Sequence, residues 1–119
     1  MMATLAKAKA VCKALSGATS DVKWGDDLVY SVGGRMFAVM PKGAKASPSI
    51  AFKVDADRFL ELTDREGFAP APYLARARWV KVRDMKKVSD GELKELIKRS
   101  HWLISARLPA KARKQLGID

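Results

Sequence analysis

Basic side chains are concentrated in one short stretch of the sequence. Six of the twelve residues from Arg76 to Lys87 are Lys or Arg; Tyr73 precedes the stretch and Trp79 lies within it. Guanidinium and ammonium groups bind phosphate oxygens, and an exposed aromatic ring can stack on a nucleic-acid base. This combination is typical of a nucleic-acid interface. The alternative is that Trp79 packs in the core while the basic side chains only solvate its rim.

The charge of the whole chain points in the same direction. The 119 residues include 23 Lys and Arg against 13 Asp and Glu, which gives a net charge of +10. The charge is uneven, because residues 1–75 carry +2 and residues 76–119 carry +8. Such an excess favours an anionic partner: a nucleic acid, an acidic protein or a small anionic ligand. A solvated cationic surface without a partner is the simpler alternative.

The residues that familiar enzymes and metal sites require are mostly missing from the sequence. Cys12 is the single cysteine and His101 the single histidine, which excludes an intrachain disulfide and any site that needs two of either residue. Neither glycine-rich phosphate-binding motif, nor G-x-S-x-G, nor H-E-x-x-H occurs. Asp55 and Asp57 form a D-x-D pair, which the start of a helix explains more simply than a metal does. We therefore expect a protein without catalytic activity, cofactor or metal.

The elements that must position the basic stretch can be predicted from periodicity. Apolar residues from Thr4 to Leu15 recur at helical spacing, and lysines interrupt them too often for a secretory signal. No apolar run approaches the roughly 20 residues that cross a bilayer. We therefore expect a cytoplasmic protein that begins with an amphipathic helix.

Alternating segments predict a sheet in the middle of the chain. Residues 28–32 and 35–40 are joined by Gly33 and Gly34, a pair suited to a tight hairpin. Residues 50–54 and 79–83 are further strands, 21–24 a short one, and 41–48 a loop. Helices are predicted after Asp55, Ser89 and Pro109, with a capping box formed by Ser89 and Glu92. The order predicts one α+β domain over residues 1–119, an antiparallel sheet meander with N-terminal and C-terminal helices packed on it.

Strand periodicity also predicts which basic residues share a surface. In a strand over residues 79–83, Trp79, Lys81 and Arg83 face one side, while Val80 and Val82 face the other. Lys53 points away from the face that Phe52 and Val54 bury. If the two strands are neighbours, Lys53 joins the basic surface.

Short sequence motifs occur along nearly the whole chain in the same order as in a known family. They include Trp24-Gly25, Val32-Gly-Gly-Arg-Met-Phe-Ala38, Phe52-Lys-Val-Asp55, Gly67-Phe68, Pro72-Tyr-Leu74, Arg78-Trp-Val80 and Ser89-Asp-Gly-Glu-Leu93. By these motifs and their order, the chain resembles the MmcQ/YjbR family. The resemblance implies a frataxin-like α+β domain that binds DNA through a basic surface, and its recurring polar positions match Lys53, Tyr73, Arg78 and Trp79.

The clustered basic residues and the family resemblance predict the same interface. It consists of aromatic and basic residues from two strands and their flanking loops: Lys53, Tyr73, Arg76, Arg78, Trp79, Lys81, Arg83, Lys86 and Lys87. The predicted function is non-catalytic DNA binding through the phosphate backbone. The alternative is a module that recognises an acidic protein or a small anionic ligand, for which a deep pocket lined by Lys53 and Tyr73 would be the sign.

Overall fold

The computed structural model describes residues 3–43 and 47–118, which form four α-helices, six strands and two short 3₁₀ helices. In chain order the elements are α1 (Leu5–Ala14), β1 (Ala18–Lys23), β2 (Asp27–Val32), β3 (Arg35–Pro41), β4 (Ile50–Lys53), α2 (Ala56–Thr63), β5 (Phe68–Pro70), a 3₁₀ helix (Ala75–Ala77), β6 (Trp79–Val82), a 3₁₀ helix (Met85–Lys87), α3 (Asp90–Ser105) and α4 (Ala110–Gln115). The predicted loop over 41–48 and the ends of the predicted domain lie partly outside the described residues.

The six strands form one antiparallel sheet in the order β1-β2-β3-β4-β6-β5. The first four strands follow one another as a meander, and β6 lies between β4 and β5. Gly33 and Gly34 form the turn between β2 and β3, with φ angles of 58° and 80°. These angles favour glycine, because a side chain is strained there. The predicted α+β fold with its antiparallel meander is confirmed.

One face of the sheet holds the hydrophobic core. Buried side chains from β2, β3, β4 and β6 pack there with others from α1, α2 and α3, among them Phe37, Phe52, Val80 and Ile97. Cys12 belongs to this cluster and is fully buried, so it has the structural role of a small apolar residue. The second face of the sheet, opposite these helices, is the one to which Lys53 and Lys81 project.

The helix starts agree only in part with the predicted caps. Thr4 caps α1 by accepting the N–H of Lys7 at 3.2 Å, and Ser89 caps α3 by accepting the N–H of Glu92 at 3.2 Å. The carboxylate of Glu92 does not complete the capping box, because it binds the guanidinium of Arg65. Asp55 precedes α2 without capping it, because its carboxylate binds Arg99 on α3.

Two polar side chains of α3 tie this helix to neighbouring segments. Ser100 Oγ donates to the carbonyl of Phe37 at 2.7 Å and accepts the N–H of Lys53 at 3.0 Å, so it bridges β3 and β4. His101, also buried, places Nε2 2.8 Å from the carbonyl of Ser16 and packs edge-on against the Phe37 ring. The C-terminal half of α3 is thereby fixed below the end of β4.

Candidate nucleic-acid interface

The pairing of β4 with β6 brings the two basic strands together. Lys53 lies opposite Trp79, and Ala51 lies opposite Lys81. Residues directly opposite in an antiparallel pair project from the same face of a sheet. Lys53, Trp79 and Lys81 therefore share the second face, while Val80 on the other face belongs to the core.

Trp79 is not the exposed stacking residue that the interface prediction included. Its side chain is only 4% exposed, although it projects from the second face and lies outside the main core cluster. The preceding segment folds against it: the Ala71 N–H donates to the Trp79 carbonyl at 3.0 Å, and the Trp79 N–H donates to the Leu74 carbonyl at 3.2 Å. These backbone bonds anchor the segment to Trp79, and the buried indole is not available to a base.

The anchored segment, residues 71–78, holds two residues in the left-handed backbone region. Tyr73 has a φ of 66° and Arg78 a φ of 65°, values that residues other than glycine rarely adopt. Further backbone bonds fix the segment, from the N–H groups of Leu74, Ala77 and Arg78 to the carbonyls of Ala71, Leu74 and Ala75. Tyr73 is fully exposed at its surface. Strain that the surrounding bonds maintain is commonly found at functional sites.

Cationic groups converge where β4 ends and β6 begins. Lys53 Nζ donates to the carbonyl of Ala77, and Arg78 Nη1 donates to the carbonyl of Arg76 at 3.1 Å. Burial lowers the pKa of Lys53, and the nearby charges of Arg107 and Arg78 lower it further. We call Lys53, Arg76, Arg78 and Arg107 the basic end of the sheet.

Arg107 is the residue of the basic end that the sequence prediction missed. It follows α3, the helix that Ser100 fixes below β4, and so reaches the neighbourhood of Lys53 through the fold alone. Its one signal in the sequence is that it is basic and lies in the strongly charged C-terminal part of the chain.

Arg83, Lys86 and Lys87 lie at the opposite end of β6. Four residues of strand separate Trp79 from Arg83, roughly 13 Å. Lys87 pairs with Glu66 at 3.1 Å, and its carbonyl accepts a bond from Arg65. The predicted nine-residue interface is therefore divided. Lys53, Arg76 and Arg78 belong to the basic end, Tyr73 lies in the anchored segment, and Trp79 is buried. Lys81 lies two residues further along β6, and Arg83, Lys86 and Lys87 lie beyond its opposite end.

Carboxylates pair with cations mainly on the helical side of the molecule. Arg65 binds Glu92 with two bonds of 2.6 and 2.7 Å, and Arg99 binds Asp55 with two of 2.8 and 2.9 Å. None of the ion pairs found within residues 3–43 and 47–118 involves Lys81 or any residue of the basic end. These cations therefore leave positive charge uncompensated by the described carboxylates.

The cavities lie apart from the basic end. A groove of about 460 Å³ between α2 and α3 is lined by both acidic and basic side chains, Asp55, Asp57, Arg58, Glu92, Glu95 and Arg99 together with Leu96. A second cavity of about 80 Å³ lies between α1 and α3. In the part of the chain that the structure describes, no group of three or more His, Cys, Asp or Glu side chains is placed to hold a metal, and no helix is long and apolar enough to span a membrane.

The fold defines an α+β protein with a six-stranded antiparallel sheet and helices packed on one face. The family model named YjbR matches residues 13–103, and the chain belongs to the YjbR family. A crystal structure of the Deinococcus radiodurans protein DR2400, with the domain DUF419, is similar, with a TM-score of 0.87 and 28% identity over 99% of this chain and 91% of that one. A crystal structure of a Pseudomonas syringae protein has a TM-score of 0.62 and 21% identity over 73% of this chain and 86% of that one, a likeness in fold. No match was found among curated proteins.

Proposed function

We propose that this protein is a non-catalytic DNA-binding domain that contacts phosphates through the basic end and Lys81. The observation that carries the proposal is that the side chains of Lys53 and Arg78 both bind carbonyls of the 76–77 segment, with Arg107 near enough to act on the charge of Lys53, and that none of the three has an ion pair to a described carboxylate. Burial is the main cause of the lowered pKa of Lys53, and repulsion from Arg107 and Arg78 adds to it. A polyanion relieves that repulsion and releases its own counterions when it binds.

The exposed position of Tyr73 favours a nucleic acid over a small ligand. A pocket that encloses a small anion would bury the aromatic ring at its wall, whereas Tyr73 is fully exposed, in the segment that also carries Arg76 and Arg78. The two cavities described above are lined by other residues. An acidic protein remains the second candidate, because an acidic surface satisfies the same cations.

The test is a salt titration of DNA binding with matched charge variants. Arg78→Gln and Lys81→Gln each remove one positive charge at the proposed interface. Lys94→Gln removes one from the exposed surface of α3 and serves as the control. Affinity for duplex and single-stranded oligonucleotides of unrelated sequence is measured by fluorescence anisotropy between about 50 and 200 mM salt, the range over which phosphate contacts weaken strongly.

The expected result is a linear fall of log affinity with log salt. Each interface variant should weaken binding to all sequences alike and reduce the slope by about 0.9, the contribution of one phosphate contact to duplex DNA. Lys94→Gln should leave the slope unchanged. Equal slopes in all three variants would place the contact surface elsewhere, and tighter binding to an acidic polypeptide than to DNA would favour the second candidate.

A further inference from the structure

Two exposed aromatic residues of the described chain have left-handed backbones, and their surroundings differ in charge. Trp24 has a φ of 51° in the turn between β1 and β2, close in sequence to Asp26 and Asp27. Tyr73 has a φ of 66° in the segment anchored by Trp79 and is followed by Arg76 and Arg78. Carboxylates near Trp24 would repel a phosphate chain, whereas the arginines that follow Tyr73 would attract one.

The backbone around Tyr73 is held by hydrogen bonds, while its side chain is exposed to solvent. Hydrogen bonds join Leu74 to Ala71 and Trp79, and Ala77 to Leu74, while the buried Trp79 side chain lies directly after the segment. An aromatic side chain on a fixed backbone loses little conformational freedom when it binds, since it has only two rotatable side-chain bonds. The local strain at Tyr73 is thus maintained by a surrounding structure that also presents the ring to solvent.

From this arrangement we infer that the interface takes single-stranded nucleic acid, with the Tyr73 ring stacked on one unpaired base. The inference rests on the proposed function and specifies its substrate. Phosphates on either side of the stacked base would meet the cations of the basic end. In a duplex the bases are paired and stacked on one another, so the exposed ring would have no base face to contact.

The experiment compares Tyr73 variants on matched probes. One probe is a single-stranded DNA of about 12 nucleotides with a central 2-aminopurine, whose fluorescence reports stacking; the others are the same strand in a duplex and inorganic polyphosphate, which has no bases. Tyr73→Ala removes the ring, Tyr73→Phe keeps it without the hydroxyl, and Trp24→Ala removes the other exposed left-handed aromatic as the control. Arg78→Gln serves as the phosphate-contact variant.

Tyr73→Ala should weaken single-strand binding at least about fivefold, the lower end of what one stacked base contributes. It should also abolish the change in 2-aminopurine fluorescence, while binding to the duplex and to polyphosphate and the salt slope stay unchanged. Tyr73→Phe and Trp24→Ala should bind the single strand as the parent does. Thermal melting of each variant checks that the fold is retained.

The outcomes separate this inference from the proposed function. Unchanged single-strand binding of Tyr73→Ala, with weakened binding of Arg78→Gln, overturns the stacking role and leaves phosphate binding intact. A duplex bound more tightly than the single strand by the parent protein overturns the substrate assignment. If no DNA probe binds in a salt-dependent manner, both the inference and the proposed function are wrong.

Discussion

The hydroxyl of Ser100 accepts the backbone N–H of Lys53 at 3.0 Å, from a helix on the opposite side of the sheet to the Lys53 side chain. The same hydroxyl donates to the carbonyl of Phe37 at 2.7 Å. One serine therefore satisfies two backbone groups where β3 and β4 cease to pair, and it fixes the strand end that carries the proposed phosphate contact.

Replacing Ser100 with Ala should destabilise the protein by about 1–3 kcal/mol. The variant leaves the buried Phe37 carbonyl and the Lys53 N–H without their partner, and an unsatisfied buried polar group costs about that much. Ser105→Ala is the control, because Ser105 Oγ donates only within α3, to the Trp102 carbonyl at 3.3 Å. Urea unfolding measures both, and an equal loss in the two variants would contradict the bridging role.

Trp79→Ala should lower the free energy of unfolding by about 3–5 kcal/mol, the cost of truncating a large buried aromatic. Trp102→Ala provides the comparison, because Trp102 is exposed and contacts Arg99 through its ring face at 4.4 Å. An exposed contact of this kind contributes about 0.5–1 kcal/mol. Chemical denaturation of both variants is the measurement. A melting temperature of Trp79→Ala close to that of the parent would show that the indole does not stabilise the fold, and Trp79 would again be a candidate for base stacking.

The two glycines of the β2–β3 turn should differ in their tolerance of substitution. Both have positive φ, so Ala at either position is strained by about 1–2 kcal/mol. At Gly33 an added Cβ would also lie 2.6 Å from Cδ1 of the buried Leu108, whereas at Gly34 it meets no atom within 4 Å. Gly33→Ala should therefore lower the urea midpoint more than Gly34→Ala. The reverse order would mean that Leu108 repacks without cost.

The stability contributed by Glu92 should depend on pH. Its hydrogen bonds to Arg65 lower its pKa, and burial opposes the shift. Because the folded-state pKa lies below the usual 4.5, the contribution is complete above that value and is lost as the pH falls through the folded-state pKa. The parent should thus have a larger free energy of unfolding than Glu92→Gln at pH 7, and this difference should disappear in acid. Glu95→Gln, whose carboxylate lies 3.9 Å from Lys98, is the control.

The Cys12 thiol should not react while the protein is folded. Burial raises the pKa of the thiol to about 12, so the reactive thiolate does not form at neutral pH. The side chain is also fully buried, so a reagent cannot reach it. A colorimetric thiol reagent should label it only after unfolding in urea. Rapid labelling under native conditions would show that α1 opens locally.

Segments with strong periodicity were predictable from the sequence, whereas edge strands were not. The β2–β3 hairpin and α3 follow from the spacing of their buried residues. The first strand extends over Ala18–Lys23, beyond the predicted 21–24, because nearly all of it is exposed and no apolar pattern marks its start. The short strand Phe68–Pro70 was missed altogether, since three residues that end in proline carry no alternation.

The candidate site was predictable in composition but not in arrangement. Alternation along β6 correctly separated Lys81 from Val80 and Val82, and β4 is its neighbour. Sequence proximity does not show that Lys86 and Lys87 are separated from Arg78, because only the extended strand β6 places them at its opposite end. Arg107 comes close enough to Lys53 to act on its charge only when α3 packs beneath the sheet, and that is a tertiary effect.

The ion pairs of the described residues lie mainly on the helical side, whereas the cations of the basic end have no carboxylate partner among them, so positive charge is compensated unevenly over the molecule. If the protein binds a polyanion as proposed, the field of that partner would exert a torque on this uneven charge and turn the basic end toward it before contact. More encounters would then begin in a productive orientation, and association would be faster than for an evenly charged protein, most of all at low ionic strength. Under the proposed function the helices would contribute to recognition without touching the ligand, because their carboxylates cancel positive charge away from the basic end.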